Sequence, residues 1–469
     1  MLFNSLEFIL FLPLVVVLYY LLPHKFRWVL LLLGSYFFYM QWKVEYAGLI
    51  LLSTIVDYCV ALFIFKSTSA TIKKVWLSLS LFTNLGLLAI FKYYNFFRAE
   101  LEVLLTQYEL ESVFPALSLL LPVGISFYTF QTLSYTLDVY HGRQKPEKHL
   151  GIFALYVSFF PQLVAGPIER FSHLGKQLKE RHQFRYSNIA KGGRLILLGF
   201  FVKMAIADNV SASVDEIYVD PLGHNSLSVL TGIFFYSIQI YADFFGYSTI
   251  AIGAAKLLGI DLMDNFRAPY FSGSITEFWK RWHISLTGWF RQYLYYPLGG
   301  NRVKTYRWLF NILLVFVVSG LWHGANWTFI IWGGIHGILY LIEHYVKKAS
   351  LFNSNSLLAW FRILGRFKTF VLVSLAWVFF RSQNIDQAFE VFEALFSNFH
   401  LVDSFHVKHQ VWILVGGFIV FDFVLRNSRY DIWADKVGPA LRWFSYALLL
   451  FATMALSGVT NHPFIYFQF

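Results

Sequence analysis

WLFNILLVFVVSGL (308–321) and WTFIIWGGIHGILYL (327–341) are two apolar runs joined by only the short stretch WHGAN (322–326). Flanks of this composition place the histidine of the joining stretch, His323, at membrane depth. An ionisable group at that depth is costly and by default marks a functional site. Imidazole is also the side chain best suited to proton transfer near neutral pH, so His323 is a candidate catalytic residue.

A structural role for His323 stays open on these residues alone. A buried histidine is often satisfied by a backbone carbonyl, and the flanking tryptophans are then packing residues. The nearby polar and small residues favour function instead. Asn326 lies at helical spacing from His323 if a helix begins here, and Gly320 and Gly324 permit close backbone approach.

The composition is that of a membrane protein. Of the 469 residues, 57% are hydrophobic and 14% are charged, whereas soluble domains are about a quarter charged. Several apolar runs reach the roughly 20 residues that a membrane-spanning helix needs. We therefore predict an all-α, polytopic integral membrane protein of about 11–13 transmembrane helices, with additional re-entrant and interfacial helices, in a single domain over residues 1–469.

The charge and cysteine content exclude several classes of site. The net charge of +11 comes mostly from short loops between apolar runs, so membrane topology explains it and no nucleic-acid partner is predicted. Cys59 is the single cysteine, which excludes an internal disulfide and a thiolate zinc cluster. No other metal-binding motif stands out, and no metal site is predicted.

Loop charges alternate along the predicted spans, which are residues 6–23, 28–42, 45–65, 75–91, 115–138, 193–209, 227–247, 308–322, 326–346, 367–381, 410–425 and 443–458. Loops containing Lys25, Lys73 and Lys179 fall on one side, and loops containing Glu102 and Asp386 fall on the other. The positive-inside rule then places the basic loops in the cytoplasm and both termini outside.

Two segments do not fit simple spans. Residues 150–167 are apolar but carry two prolines and are flanked by basic loops, which indicates a re-entrant segment. Residues 261–307 are too polar to cross but rich in Trp and Tyr, which predicts amphipathic helices at the cytoplasmic interface, some of them dipping inward.

Two further residues have both a structural and a functional interpretation. His283 lies in WKRWHISLTGW (279–289), where composition favours an interfacial helix with snorkelling cations over a second histidine at the site. Asp243 lies inside the span 227–247. A carboxylate there needs a partner, for which Arg or His is expected, and it either holds the fold or lines a substrate path.

Taken together, several motifs resemble the membrane-bound O-acyltransferase (MBOAT) family, and in particular its bacterial branch that acetylates polysaccharides. The motifs span nearly the whole chain and are PVGISFYTFQ (122–131), FPQLVAGPI (160–168), FRAPY (266–270), SITEFWKRWHISL (274–286), YYPLGGN (295–301), GLWHGA (320–325) and FIYFQF (464–469).

The resemblance implies a fold built around a tunnel, with His323 as the catalytic histidine and His283 across the same tunnel. It implies acetyl-CoA or an acylated carrier as the cytoplasmic donor, a periplasmic acetyltransferase or esterase-like partner protein, and a bacterial cytoplasmic (inner) membrane location. The acceptor is expected to be an extracytoplasmic polymer, and alginate, peptidoglycan, cellulose and teichoic acid all stay open.

On this basis His323 is predicted to act as a general base on the attacking hydroxyl. His283 or Asn326 is predicted to orient His323 or to stabilise the oxyanion. The alternative is a transporter or flippase for a polysaccharide precursor or lipid, which also explains a polar interior and a re-entrant segment. A scaffold role in a secretion complex is a third, weaker alternative.

The segment 461–469 (NHPFIYFQF) has two interpretations. Its aromatic residues suit an anchor in the outer membrane interface. Alternatively, Pro463 ends the preceding helix and the segment folds back into the outer mouth of the tunnel. Tyr466 then accepts the acetyl group and presents it to an outside enzyme, as a covalent relay.

Overall fold

A computed structural model describes residues 1–110, 114–164, 166–348, 358–400, 402–457 and 464–465. Regular structure within these ranges is entirely helical, with no strand. Clustering of the backbone divides the chain into two compact units, residues 1–189 with 254–263 and residues 190–253 with 264–469. The predicted all-α class is therefore confirmed, while the single domain over 1–469 stays a prediction.

The α-helices of the first unit are Leu6–Leu21, His24–Met40, Ala47–Lys66, Ala70–Leu88, Tyr94–Gln107, Ile125–Tyr140, Leu150–Ser158 and Phe160–Leu163. Short 3₁₀ or π turns lie at Val44–Tyr46, Ala89–Tyr93 and Phe171–Gly175.

The helices that lie wholly or mostly in the second unit are Tyr186–Phe200, Asp208–Val219, Ser226–Leu257, Ile275–Arg281, Ile284–Phe290, Thr305–His323, Trp327–Lys348, Leu358–Arg381, Ile385–Ser397, His409–Leu425, Tyr430–Lys436 and Pro439–Leu456. Short 3₁₀ or π turns lie at Phe201–Ala207, Pro221–Gly223, Pro269–Phe271 and Arg291–Tyr295.

Each predicted span overlaps a helix, although residues 115–124 of the span 115–138 precede helix Ile125–Tyr140, and the multi-pass membrane class is confirmed. Among the described residues, eight helices are long and apolar enough to cross a membrane, or nine if the bent pair His409–Leu425 and Tyr430–Lys436 counts as one span. Leu6–Leu21 and Leu150–Leu163 are apolar but shorter. The latter covers most of the predicted re-entrant segment 150–167.

Polar side chains bind the backbone groups at the break in this short segment. Between Leu150–Ser158 and Phe160–Leu163 the helical ladder is interrupted, which leaves backbone groups needing partners. The Tyr156 carbonyl accepts from the side chains of Gln131 (2.6 Å) and Gln162 (2.8 Å), and the Phe160 N–H donates to Ser35 Oγ (3.0 Å). These bonds allow non-helical backbone inside an apolar unit.

A buried carboxylate joins three helices of the first unit. Asp57 is fully buried and accepts hydrogen bonds from Asn84 Nδ2 (2.7 Å), Thr136 Oγ1 (2.9 Å) and the Ser80 hydroxyl. Burying a carboxylate is costly unless its oxygens are satisfied. The network therefore ties Ala47–Lys66, Ala70–Leu88 and Ile125–Tyr140 together.

In the second unit, helices Thr305–His323 and Trp327–Lys348 form a close antiparallel pair, here called the His323 hairpin together with its connection 324–326. Glycines allow the close approach. A Cβ on Gly320 would collide with the Phe329 carbonyl oxygen, and a Cβ on Gly333 would collide with the Phe316 carbonyl oxygen. Small residues at such contacts let helix backbones approach closely in membranes.

The adjacent glycines of this hairpin provide a matched test. Gly333→Ala should lower the free energy of unfolding of the detergent-purified protein by about 1–3 kcal/mol, because the new methyl group collides with backbone atoms. Its melting temperature should fall accordingly. Gly334 has no atom within 4 Å of its ideal Cβ position. Gly334→Ala should be neutral or stabilising by about 0.5–1 kcal/mol, since alanine favours helix. Equal melting temperatures for the two variants would contradict the close contact.

Candidate active site

His323 is the last residue of its helix and lies inside the protein. Its helix ends there because Gly324 adopts an extended backbone with φ −158°. The side chain is only 2% exposed. Its ring centroid lies 4.9 Å from that of Trp322, 5.2 Å from Trp332 and 5.3 Å from Phe380. The imidazole thus sits within an aromatic enclosure that limits access of bulk water.

His283 lies at the break between helices Ile275–Arg281 and Ile284–Phe290 and is also buried, with 0% exposure. Its ring centroid is 4.7 Å from Phe244, 6.0 Å from Trp322 and 6.4 Å from His323. The structure therefore brings the two predicted histidines together. The interfacial, snorkelling environment favoured by composition is wrong for this side chain, because the break turns it inward.

Burial also fixes the charge of His283. Desolvation lowers the pKa of its imidazole to about 3. The ring is therefore neutral at physiological pH, and one of its nitrogens carries a proton while the other can accept a hydrogen bond.

The backbone of His283 is in the left-handed region, with φ +41°. Such a conformation costs a non-glycine residue about 1–3 kcal/mol and persists only where the surroundings enforce it. Two backbone hydrogen bonds bracket the break, from Ile284 N–H to the Asn265 carbonyl (2.9 Å) and from Arg267 N–H to the Arg281 carbonyl (3.0 Å). They fix the direction in which the imidazole points.

Asn265 also holds this region through its side chain, and sequence reasoning missed it. Its Nδ2 donates to Ser248 Oγ (3.0 Å), and its Oδ1 accepts from Ser285 Oγ (2.6 Å). The residue is 1% exposed. The only available signal was its position directly before the FRAPY motif, because a single asparagine has no periodicity.

Asn326 has a defined structural role. Its Oδ1 accepts from the Thr328 N–H (3.0 Å), and its Nδ2 donates to the Gln383 carbonyl (2.6 Å). It thereby caps helix Trp327–Lys348. The expected helical spacing to His323 is wrong, because one helix ends at His323 and the next begins at Trp327. Its catalytic role stays a prediction.

A third histidine lies near the site. His336 is completely buried, and its ring centroid lies 5.0 Å from both Trp279 and Trp332. Neither ring nitrogen has a hydrogen-bond partner within the described part of the chain. Because Trp332 also contacts His323, His336 lines the far side of the same aromatic wall.

Glu343 fixes the start of the helix that leads to His283. Its carboxylate accepts from the Ile275 N–H (2.5 Å) and from Thr276 Oγ1 (2.8 Å). A carboxylate at a helix N-terminus satisfies free N–H groups and complements the helix dipole. Helix Ile275–Arg281 is thereby attached to helix Trp327–Lys348 of the His323 hairpin.

Asp243 is paired, but not with the expected Arg or His. Its partner is Lys203, whose Nζ lies 2.6 Å from Oδ1. The other oxygen, Oδ2, accepts from the backbone N–H of Ile465 (2.6 Å). Phe464 is buried, with its ring centroid 4.5 Å from Tyr247 and 5.5 Å from Phe244. Tyr466, the predicted relay residue, lies outside the described residues.

A cavity of about 880 Å³ lies in the second unit beside Asn265. Six basic and three acidic residues line it, namely Arg267, Lys280, Arg281, Arg426, Arg429 and Lys436, with Asp264, Glu277 and Asp422. Its cationic excess suits a ligand that carries phosphate groups. In the described ranges no three His, Cys, Asp or Glu side chains are grouped as metal ligands.

Comparison with known proteins agrees with the motifs. The family model for the membrane-bound O-acyltransferases matches residues 149–379. A probable alginate O-acetylase AlgI of Azotobacter vinelandii is 40% identical over 401 residues, covering 85% of this chain and 78% of the relative. The Pseudomonas putida protein of that name is 37% identical, with both chains covered completely. A peptidoglycan O-acetyltransferase of Helicobacter pylori is 34% identical, over 94% of this chain and 91% of the relative.

The matched residues 149–379 include His283, His323 and the whole His323 hairpin. The relatives named as O-acetylating enzymes extend the similarity over most of the sequence. The resemblance inferred from the motifs is thus confirmed, and the chain belongs to the membrane-bound O-acyltransferase family and is a multi-pass membrane O-acyltransferase.

Proposed function

We propose that this O-acyltransferase moves an acetyl group from a cytoplasmic thioester to hydroxyl groups of an extracytoplasmic polysaccharide, with His323 as the general base. The observation that carries the proposal is the proximity of two buried histidines, because the ring centroids of His323 and the neutral His283 lie 6.4 Å apart inside an aromatic enclosure. A hydroxyl is a weak nucleophile until a base removes its proton. Exclusion of water limits hydrolysis of the donor.

The chemistry assigns a role to each imidazole. His323 takes the proton of the acceptor hydroxyl as the hydroxyl oxygen attacks the thioester carbonyl carbon of the donor. The C–S bond of the donor then breaks. The leaving thiolate receives the proton back from His323. His283, held neutral by burial, donates a hydrogen bond to the developing oxyanion or orients His323. Asn326, whose amide caps a helix, contributes by fixing the connection that follows His323.

The donor, acetyl-CoA or an acylated carrier, is proposed to bind in the cationic cavity. Both carry phosphate, which arginine and lysine recognise. The cavity is lined by Asn265, whose backbone carbonyl binds the residue after His283. A donor held there is therefore next to the segment that carries His283.

The acceptor is proposed to be a bacterial polysaccharide outside the cytoplasmic (inner) membrane, with both protein termini on that side. Relatives named as alginate O-acetylases favour alginate, and the Helicobacter pylori relative makes peptidoglycan the second candidate. A periplasmic acetyltransferase or esterase-like partner would complete the transfer. The relatives named as O-acetylating enzymes favour acyl transfer over the transporter and scaffold alternatives.

Tyr466 is proposed to carry the acetyl group between the two compartments. Its neighbours Phe464 and Ile465 are buried against helix Ser226–Leu257, and Phe244 of that helix contacts His283. This placement supports a fold-back of the tail over an anchor in the outer interface. The phenol oxygen would attack the thioester carbonyl carbon, the C–S bond would break, and the phenol proton would pass through His323 to the leaving thiolate. The acetyl group would then move from the phenol ester to the partner, which regenerates the phenol.

His323→Ala should reduce polymer acetylation by roughly 10²–10⁴-fold while the protein still accumulates in the membrane, because a general base contributes that much. His283→Ala should also impair transfer but leave more residual activity if its role is orientation. Acetyl content of the isolated polymer is the measurement. The control is His344→Ala, since His344 is an exposed histidine of the same hairpin. Normal acetylation by a stably expressed His323→Ala protein would refute the assignment.

Tyr466→Phe keeps the aromatic ring and removes only the oxygen. A covalent relay predicts loss of polymer acetylation at an unchanged protein level, because no nucleophile is left on the ring. A simple anchor predicts near-normal acetylation. Incubation with radiolabelled donor and mass spectrometry of the C-terminal peptide should reveal the acetyl ester in the unmodified protein, and its absence would count against the relay.

The double change Lys280→Gln with Lys436→Gln tests the donor cavity. We expect the KM for the donor to rise roughly fivefold or more with little change in kcat, since lost phosphate contacts weaken uniform binding. Lys304→Gln is the matched control, because Lys304 is exposed and does not line the cavity. An unchanged KM in the double variant, measured at low salt, would place the donor elsewhere.

A further inference from the structure

Lys203 and two carboxylates form a buried charge cluster in the second unit. Lys203 Nζ lies 2.7 Å from Asp208 Oδ1 and 2.6 Å from Asp243 Oδ1, and Lys203 and Asp243 are each 2% exposed. Charged side chains within spanning helices are expensive and are usually functional. Lys203 contacts one oxygen of each carboxylate, which leaves Asp243 Oδ2 available to a further hydrogen-bond donor.

The second oxygen of Asp243 receives such a donor from a distant part of the sequence. The Ile465 N–H donates to Oδ2 at 2.6 Å, across 222 positions. A hydrogen bond to an ionised carboxylate is about twice as strong as a neutral one. Asp243 therefore links the charge cluster to the segment containing residues 464–465.

Packing places this attached segment against the catalytic region. The Phe464 ring lies 4.5 Å from Tyr247 and 5.5 Å from Phe244, between centroids. The Phe244 ring in turn lies 4.7 Å from His283. The Phe244 ring thus lies between Phe464 and His283.

We propose that Asp243 is a latch that holds residues 464–465 of the C-terminal segment against the catalytic region. The proposal rests on the proposed function, in which that segment carries the acetyl group. Asp243 is a positioning residue, because it binds the backbone of the segment and not the reacting atoms. One charge-assisted bond biases docking by roughly ten- to hundredfold.

The partners that remain after loss of Asp243 distinguish a latch from a residue that holds the fold. The Lys203–Asp208 pair satisfies the cation even without Asp243, whereas the Ile465 N–H depends on the Asp243 carboxylate in this arrangement. Loss of Asp243 should therefore release residues 464–465 before it disturbs the helices.

Maleimide labelling of Ile465→Cys in a Cys59→Ser background measures docking directly. The side chain at 465 is 5% exposed, so the cysteine should react slowly in the detergent-purified protein. Adding Asp243→Ala should accelerate labelling at least tenfold, and Asp243→Asn, a neutral acceptor, should have a smaller effect. Asp208→Asn is the matched control, since it changes the same cluster without touching Ile465, and should label slowly.

Asp243→Asn covers the case in which Asp243→Ala does not fold, and Phe464→Ala separately tests the contribution of packing. Phe464→Ala leaves the ion pairs intact and removes the packing on Tyr247 and Phe244, and it should also accelerate labelling about tenfold. Equally slow labelling in a folded Asp243→Ala protein, or in Asp243→Asn where the alanine variant does not fold, would overturn the latch.

Activity separates the latch from the proposed chemistry. Asp243→Ala should lower acetylation of Tyr466 and of the polymer by about tenfold, in line with the loss of docking. His323→Ala should reduce acetylation by roughly 10²–10⁴-fold and leave residue 465 slow to label. Release of the segment with normal polymer acetylation would overturn its role in the reaction. Full activity of His323→Ala would instead refute the catalytic assignment and leave the docking result standing.

Discussion

The active site depends on the backbone contact between the two helices of the His323 hairpin. Because Gly320 and Gly333 lack side chains, each helix approaches the other to the distance of a backbone carbonyl. This closeness leaves only residues 324–326 to reverse the chain, so His323 ends one helix directly beside the start of the next. Trp332, on the facing helix, then becomes a wall of the histidine enclosure.

Around this hairpin, polar side chains fix the shorter elements by binding backbone N–H groups. Glu343 binds the first N–H of helix Ile275–Arg281, Asn326 binds the start of helix Trp327–Lys348, and Asp243 binds Ile465. In an interior of low dielectric such bonds are stronger than in water, and leaving them unmade is expensive. They therefore hold irregular segments in place where apolar packing alone would not specify a direction.

The sequence predicted what depends on local composition. Apolar runs gave the helices, and the polar interruption at 322–326 identified His323. The environment of His283 was not predictable from its neighbours, because Lys280 and Arg281 suggest an exposed face. A break after Arg281, held by Asn265, sends the cations to the cavity and the imidazole to the interior. The Lys203 partner of Asp243 was missed because pairing between distant helices leaves no periodic signal.

The left-handed backbone of His283 restricts which residues the position can accept over evolutionary time. With φ at +41°, residues branched at Cβ are excluded by steric strain, whereas glycine, asparagine and aspartate are tolerated. Substitution by most other residues would disfavour this backbone conformation as well as remove the imidazole. Both the chemistry of the imidazole and the conformation of the backbone therefore restrict which residues can replace His283.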